Sequence, residues 1–127
     1  MAETVTDTQL NATTEDRYRY NTSVSVGSTI TTLLSASDSR LYRAASIVVY
    51  NHGEAGTLTV KVWVSNNETA GTLGTASDGW AQLGDDITIS SGSSSNKQWI
   101  GRYRRTGVTA TVSSGTGTAD VWIRELL

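Results

Sequence analysis

No cysteine, proline or phenylalanine occurs in these 127 residues, and there is a single methionine and a single histidine. Without cysteine there can be no disulfide, no thiolate nucleophile and no sulfur-ligated metal. One histidine cannot share a metal with a second. It is also the only base available to a serine triad, and no Gly-x-Ser-x-Gly elbow leading into a helix is present to offer a nucleophile. No run approaches the eighteen or so apolar residues of a membrane-spanning helix, and the opening "MAETVTDTQLNATTED" has neither a basic leader nor an apolar core, so no signal peptide or transmembrane segment is expected. Only 17% of residues are charged and the formal net charge is -2. No strong field is therefore expected to draw the chain onto nucleic acid or an acidic membrane. No enzyme and no cofactor is expected.

What remains is rich in Thr, Val, Ser and Gly, with four Trp and five Tyr. The length suits one domain able to bury a core without staples. Stretches of Thr, Val, Ile, Tyr and Trp alternate with Gly, Ser, Asn and Asp, the pattern of short strands joined by turns. We expect strands near 18–26, 29–34, 41–50, 57–65, 80–83, 87–90, 98–104, 108–113 and 118–125. Nine short strands at this spacing predict an all-β, antiparallel β-sandwich of jelly-roll or immunoglobulin-like topology over residues 18–127. Turn chemistry comes from "NHGEAG" at 51–56, "SDG" at 77–79, "SSGSSSN" at 90–96 and "SSGTG" at 113–117. Residues 65–79 form the longest irregular stretch, which is the kind of loop that is usually functional or mobile.

Two segments nearly repeat: "GTLTVKVWV" at 56–64 and "GTGTADVWI" at 115–123. A period of two puts Leu58, Val60, Val62 and Val64 on one face of the first, with Thr57, Thr59, Lys61 and Trp63 opposite. In the second, Gly117, Ala119, Val121 and Ile123 oppose Thr118, Asp120, Trp122 and Arg124. Each Trp thus lies in a polar row, either covered by its own chain or exposed as an anchor for a partner. Lys61 and Asp120 hold equivalent places with opposite charge and could pair between strands or subunits.

His52 reads as a polar turn residue, and Asp78, Asp85 and Asp86 as solvated turn carboxylates rather than a calcium loop, since the spacing matches no EF-hand. "GRYRRTG" at 101–107 gathers Arg102, Arg104 and Arg105 around Tyr103, and with Arg40 and Arg43 it could form a basic patch for an acidic partner. Such a partner exists within the chain. Residues 1–16 carry Glu3, Asp7, Glu15 and Asp16 and no basic group, while the remainder carries all ten Lys and Arg against eight acids. We expect residues 1–17 to be an extended acidic arm held by a neighbour or by its own body.

The stretches "IVVYNHGEAGTLTVKVWVSNN" and "QWIGRYRRTGVTATVSSGTGTADVWIREL" resemble the small all-β virion proteins of tailed bacteriophages: capsid decoration or cement proteins, head fibres and related tail modules. The resemblance implies a non-enzymatic subunit that stabilises a capsid through subunit contacts. Its implied partners are other copies of itself, with a trimer favoured, and a major capsid or other virion protein. It implies a location on the virion after synthesis in a host cytoplasm, with no nucleic-acid or membrane partner. It assigns no individual residue. From the residues themselves, the candidate interface is Trp63, Trp122, Lys61, Asp120, Arg102, Arg104, Arg105, Glu3 and Asp7. The alternative is a carbohydrate- or receptor-binding module of a tail or surface fibre, in which Trp63, Trp80, Trp99 and Trp122 would stack on a glycan.

Overall fold

Strict alternation over "LTVKVWVS" and "GTADVWIREL" makes these the two most regular strands of the protein: Leu58, Val60, Val62 and Val64 are buried in one, Ala119, Val121 and Ile123 in the other. The computed structural model describes Thr4–Val5 and residues 16–54, 56–69 and 71–127. Among these the strands are β1 (Thr4–Val5), β2 (Arg17–Val26), β3 (Thr31–Asp38), β4 (Ala44–Asn51), β5 (Leu58–Ser65), β6 (Ala81–Gln82), β7 (Ile87–Ile89), β8 (Ser94–Ile100), β9 (Arg105–Val112) and β10 (Gly117–Leu126). A three-residue 3-10 turn, Ala76–Asp78, is the one helical element among the described residues.

The strands form two antiparallel sheets, a front sheet in the order β1-β2-β10-β4-β8 and a back sheet β3-β9-β5-β6, with β7 also pairing β5. Pairing is nested. β2 pairs with β10, β3 with β9, β4 with β8 and β5 with β7, as if one long eight-stranded hairpin had been rolled until alternate pairs fell into opposite sheets. That is the double Greek key of a jelly roll, so the choice between jelly-roll and immunoglobulin-like order falls on the former. Between the sheets lies one core, which includes Val26, Leu33, Leu34, Ile47, Val49, Val60, Ile89, Val108, Val121 and Ile123. At roughly 25 cal/mol per Å² of apolar area removed from water, this burial is the main favourable contribution to folding.

Three expected elements differ. The segment 41–43 is a turn rather than the start of a strand, with Tyr42 buried and its N–H donating to the Ser39 carbonyl. The segment 101–104 is also outside the strands, and Arg105 begins β9. Conversely, Ser94, Ser95 and Asn96, expected in a turn, pair with Tyr50, Val49 and Val48 as the start of edge strand β8. Ser-rich sequence has little strand preference of its own, and here the ladder with β4 imposes the extended backbone.

The poles of the sandwich have different chemistry. At one lie the turns after β2, β4, β7 and β9, and at the other the segments after β3, β5 and β8 together with the end of β10. Gly117 pairs with Val26 at the first, and Leu126 with Ala44 and Ala44 with Ile100 at the second.

Candidate interaction surfaces

The two tryptophans of the repeated phrase meet different fates. Trp63 is on the outer face of the back sheet, where its indole N–H donates to Thr109 Oγ1 at 2.9 Å. The segment after β5 folds over it. Gly74, at φ +85°, lies so close that a Cβ there would sit 3.2 Å from the ring, and a Cβ on Gly107 would meet Leu73 at 2.6 Å. This cover explains why β9 is buried on both faces from Thr106 to Ala110. Trp63 is therefore covered by its own chain.

Trp122, half-buried like Trp63, has no such segment over it among the described residues of the front sheet. Its cross-strand neighbours are Tyr20 and Val48, and Val48 is in turn opposite Asn96, giving an outward row Tyr20, Trp122, Val48, Asn96. Val48 is 43% exposed. The next row is Tyr18, Arg124, Ser46, Gln98. Tyr18 stacks on Tyr20 with centroids 5.4 Å apart, and the Arg124 guanidinium sits 5.5 Å over the Tyr18 ring. A third row, Leu126, Ala44, Ile100, completes the face. Small Ala44 and Ser46 run between the larger side chains of β10 and β8, so the surface dips along β4. The resulting open groove, about 680 Å³, is lined by Arg43, Ala44, Ser46, Gln98, Ile100 and Leu126 among others.

The inner face of the same sheet holds a buried ionic cluster near the Leu126 pole. Arg17 grips Glu125 with both ends of its fork, Nε to Oε1 at 2.8 Å and Nη2 to Oε2 at 2.9 Å, while Arg19 Nε reaches Oε1 at 3.2 Å. Arg17 Nη1 donates to Ser37 Oγ at 3.0 Å and Arg19 Nη1 to the Ser35 carbonyl at 3.1 Å, and Arg17 lies 4.9 Å over the Tyr42 ring. A bidentate carboxylate with this many satisfied donors is the arrangement that makes a buried charge tolerable.

The other residues singled out by sequence do not form one site. Lys61 pairs with Asp86 at 2.8 Å on the back sheet, whereas Asp120 on the front sheet accepts from the Ser23 N–H at 2.6 Å and lies 2.9 Å from His52 Nε2. Lys61 and Asp120 do not meet within the chain. The Lys61 hydrogen bond, then that of Gln82, holds the Asp86 carboxyl below the usual 3.8. Ser23 carries a positive φ of 55° beside a register shift in β10, and the Asp120 carboxylate anchors that irregularity. Arg104 is committed to Asp38 at 2.7 Å and Glu68 at 3.3 Å, and Arg105 donates to the Glu68 carbonyl. Arg102 and Arg104, expected within a strand over 98–104, both lie in the turn between β8 and β9, where Arg102 donates to the Leu41 carbonyl. Glu3 and Asp7 lie outside the described residues. Of their segment, Thr4 and Val5 pair with Tyr20 and Arg19 of β2.

Of the four proposed sugar-stacking rings, three are not available. Trp80 is 4% exposed, Trp99 packs against the core from the inner side of β8, and Trp63 is under its loop. Sequence reading missed Tyr18, Tyr20, Val48 and the groove. The signal for the tyrosines was "RYRYN", whose alternation places Arg and Tyr on opposite faces without saying that the arginines go inside.

No family model and no curated protein matches the chain. Its architecture does have solved counterparts. PirA superposes with a TM-score of 0.58 at 10% identity, over 85% of this chain and 92% of that one. A subunit of Bacillus endospore appendages, described as a family of disulfide-linked pili, superposes with a TM-score of 0.52 at 16% identity, over 100% of this chain and 92% of that one. These likenesses show the fold.

Proposed function

We propose that the protein is a non-enzymatic structural subunit of a virion, most specifically a decoration or cement protein of a phage capsid, which docks through the front sheet. The observation that carries this reading is the outward row Tyr20, Trp122 and Val48, an aromatic and aliphatic face that no loop of the described chain covers, whereas on the other sheet the segment after β5 folds over Trp63. Aromatic anchors ringed by Arg124, Asn96 and Gln98 have the composition of an interface core with a polar rim. Many copies, each contributing a modest contact, would hold a shell by avidity. The endospore-appendage subunit shares the fold and belongs to disulfide-linked pili. With no cysteine in its sequence, this chain must assemble by non-covalent burial instead.

Antibody labelling of virions from the encoding phage tests the location: label on capsid surfaces supports the reading, and label on tails alone, or absence from virions, refutes the capsid assignment. A Tyr20→Ser, Trp122→Ser variant should keep its fold, since both side chains lie on the outer face of the sheet and outside the core, and be lost from the particles. The alternative, a carbohydrate-binding module, rests on the single ring of Trp122 beside Asn96 and Gln98. Quenching or shifting of tryptophan emission in a glycan screen would favour it.

A further inference from the structure

Four large hydrophobic side chains are exposed among the described residues: Ile30 at 70%, Leu41 at 39%, Val48 at 43% and Ile100 at 85%. Val48 belongs to the face described above, and the other three lie at the poles. Ile30 ends the uncharged turn "GSTI" between β2 and β3, at the pole where Val26 pairs with Gly117. Leu41 and Ile100 lie at the opposite pole, Ile100 forming one wall of the groove whose other wall is Leu126. β10 runs from one pole to the other, ten residues or about 30 Å. The molecule thus carries an apolar knob at one end and an apolar hollow at the other.

The charges of the poles are also complementary. At the groove pole Arg43 and Arg102 are exposed and donate to the main-chain oxygens of Leu127 and Leu41, and neither has a carboxylate side chain as partner among the described residues. At the Ile30 pole the turns "GSTI", "SSGS" and "SSGT" are uncharged. That pole's turns contain no Lys or Arg, and the exposed Glu54 is their acid. We propose that copies of this chain associate head to tail, the Ile30 turn of one seating in the groove between Leu126 and Ile100 of the next, with Glu54 turned towards Arg43 and Arg102. This deepens the assembly reading and rests on it. A contact that joins two different surfaces is heterologous. It closes into a ring, a trimer included, where successive rotations sum to a full turn, and otherwise propagates as a row.

The test uses variants that block one pole each, in the full chain. Wild type should show a light-scattering mass that rises with concentration above the 13.5 kDa of one chain. Ile30→Lys and Ile100→Lys should each fall to the mass of one chain, with near-ultraviolet circular dichroism unchanged because both side chains are on the surface. An equimolar mixture should then give a two-chain species and nothing larger, since each variant retains the pole that the other lacks. Wild-type mass in either variant, no recovery on mixing, or a two-chain species from one variant alone overturns the proposal. So does a wild-type chain that remains a monomer at every concentration, including one whose groove is found by native mass spectrometry to hold a small amphipathic anion. A monomer that still labels virions would sink head-to-tail contact and leave the virion reading standing. An assembling chain absent from virions would do the reverse.

Discussion

Arg19 is a residue that hydropathy would place outside and the structure places inside, fully buried, sharing the Glu125 carboxylate with Arg17. Glu125→Gln keeps the shape and removes the charge between two guanidiniums. Loss of the acid partner of buried cations costs about 3–5 kcal/mol, so urea unfolding should show a midpoint lowered by that much stability with an unchanged slope. Asp86 tests the surface counterpart. Its carboxyl is held below the ordinary value by Lys61 and then Gln82, so its contribution is fully present above the unfolded value and is lost as pH falls through the lower folded value. Asp86→Asn should therefore flatten the acid limb of the stability-pH curve below about pH 4, slightly, because the pair is exposed, and less still in high salt. A steeper acid limb in the variant would contradict this. "RYRYN" shows how far single residues could be read: the alternation was visible, but the direction was not. The acid that turns two arginines inward sits about a hundred positions away at Glu125, and sequence spacing carries no trace of that meeting.

At the scale of elements, the cover over Trp63 depends on one glycine. Gly74 at φ +85° brings the backbone against Trp63, so Gly74→Val would require both a backbone conformation that β-branched side chains avoid and space the indole occupies. The expected outcome is a loss of about 1–3 kcal/mol together with a red shift of tryptophan emission, as the segment lifts and water reaches Trp63. Unshifted emission would mean the cover holds by other contacts. The regular strands, β5 and β10, were legible because alternation alone specifies them. Edge strand β8 was legible only at its end, 98–100, because its opening Ser-Ser-Asn is extended only by virtue of the ladder to β4. The candidate interface was half legible for the same reason. Sequence found that two tryptophans face out of their sheets, but not that the segment after β5 folds over Trp63.

For the whole molecule, the nested order means that contacts join residues far apart in the chain, β2 with β10 and β3 with β9. Sandwiches of such high contact order fold on the scale of milliseconds to seconds. Refolding after dilution from urea should be slow in that sense, yet lack the phase of tens of seconds that proline isomerisation gives, because the sequence contains no proline. A prolyl isomerase should leave the stopped-flow trace unaltered, and any acceleration would point to a different slow step. The nesting has a further consequence during synthesis. β2 leaves the ribosome early, but its partner β10 ends at Leu126. At about 5–20 residues per second, β2 waits many seconds for its place beside β10. The emerging chain must pass that interval with "RYRYNTSVSV" unpaired on its β10 side, and there its low content of large aliphatic residues, together with two arginines, guards against premature association with other nascent chains.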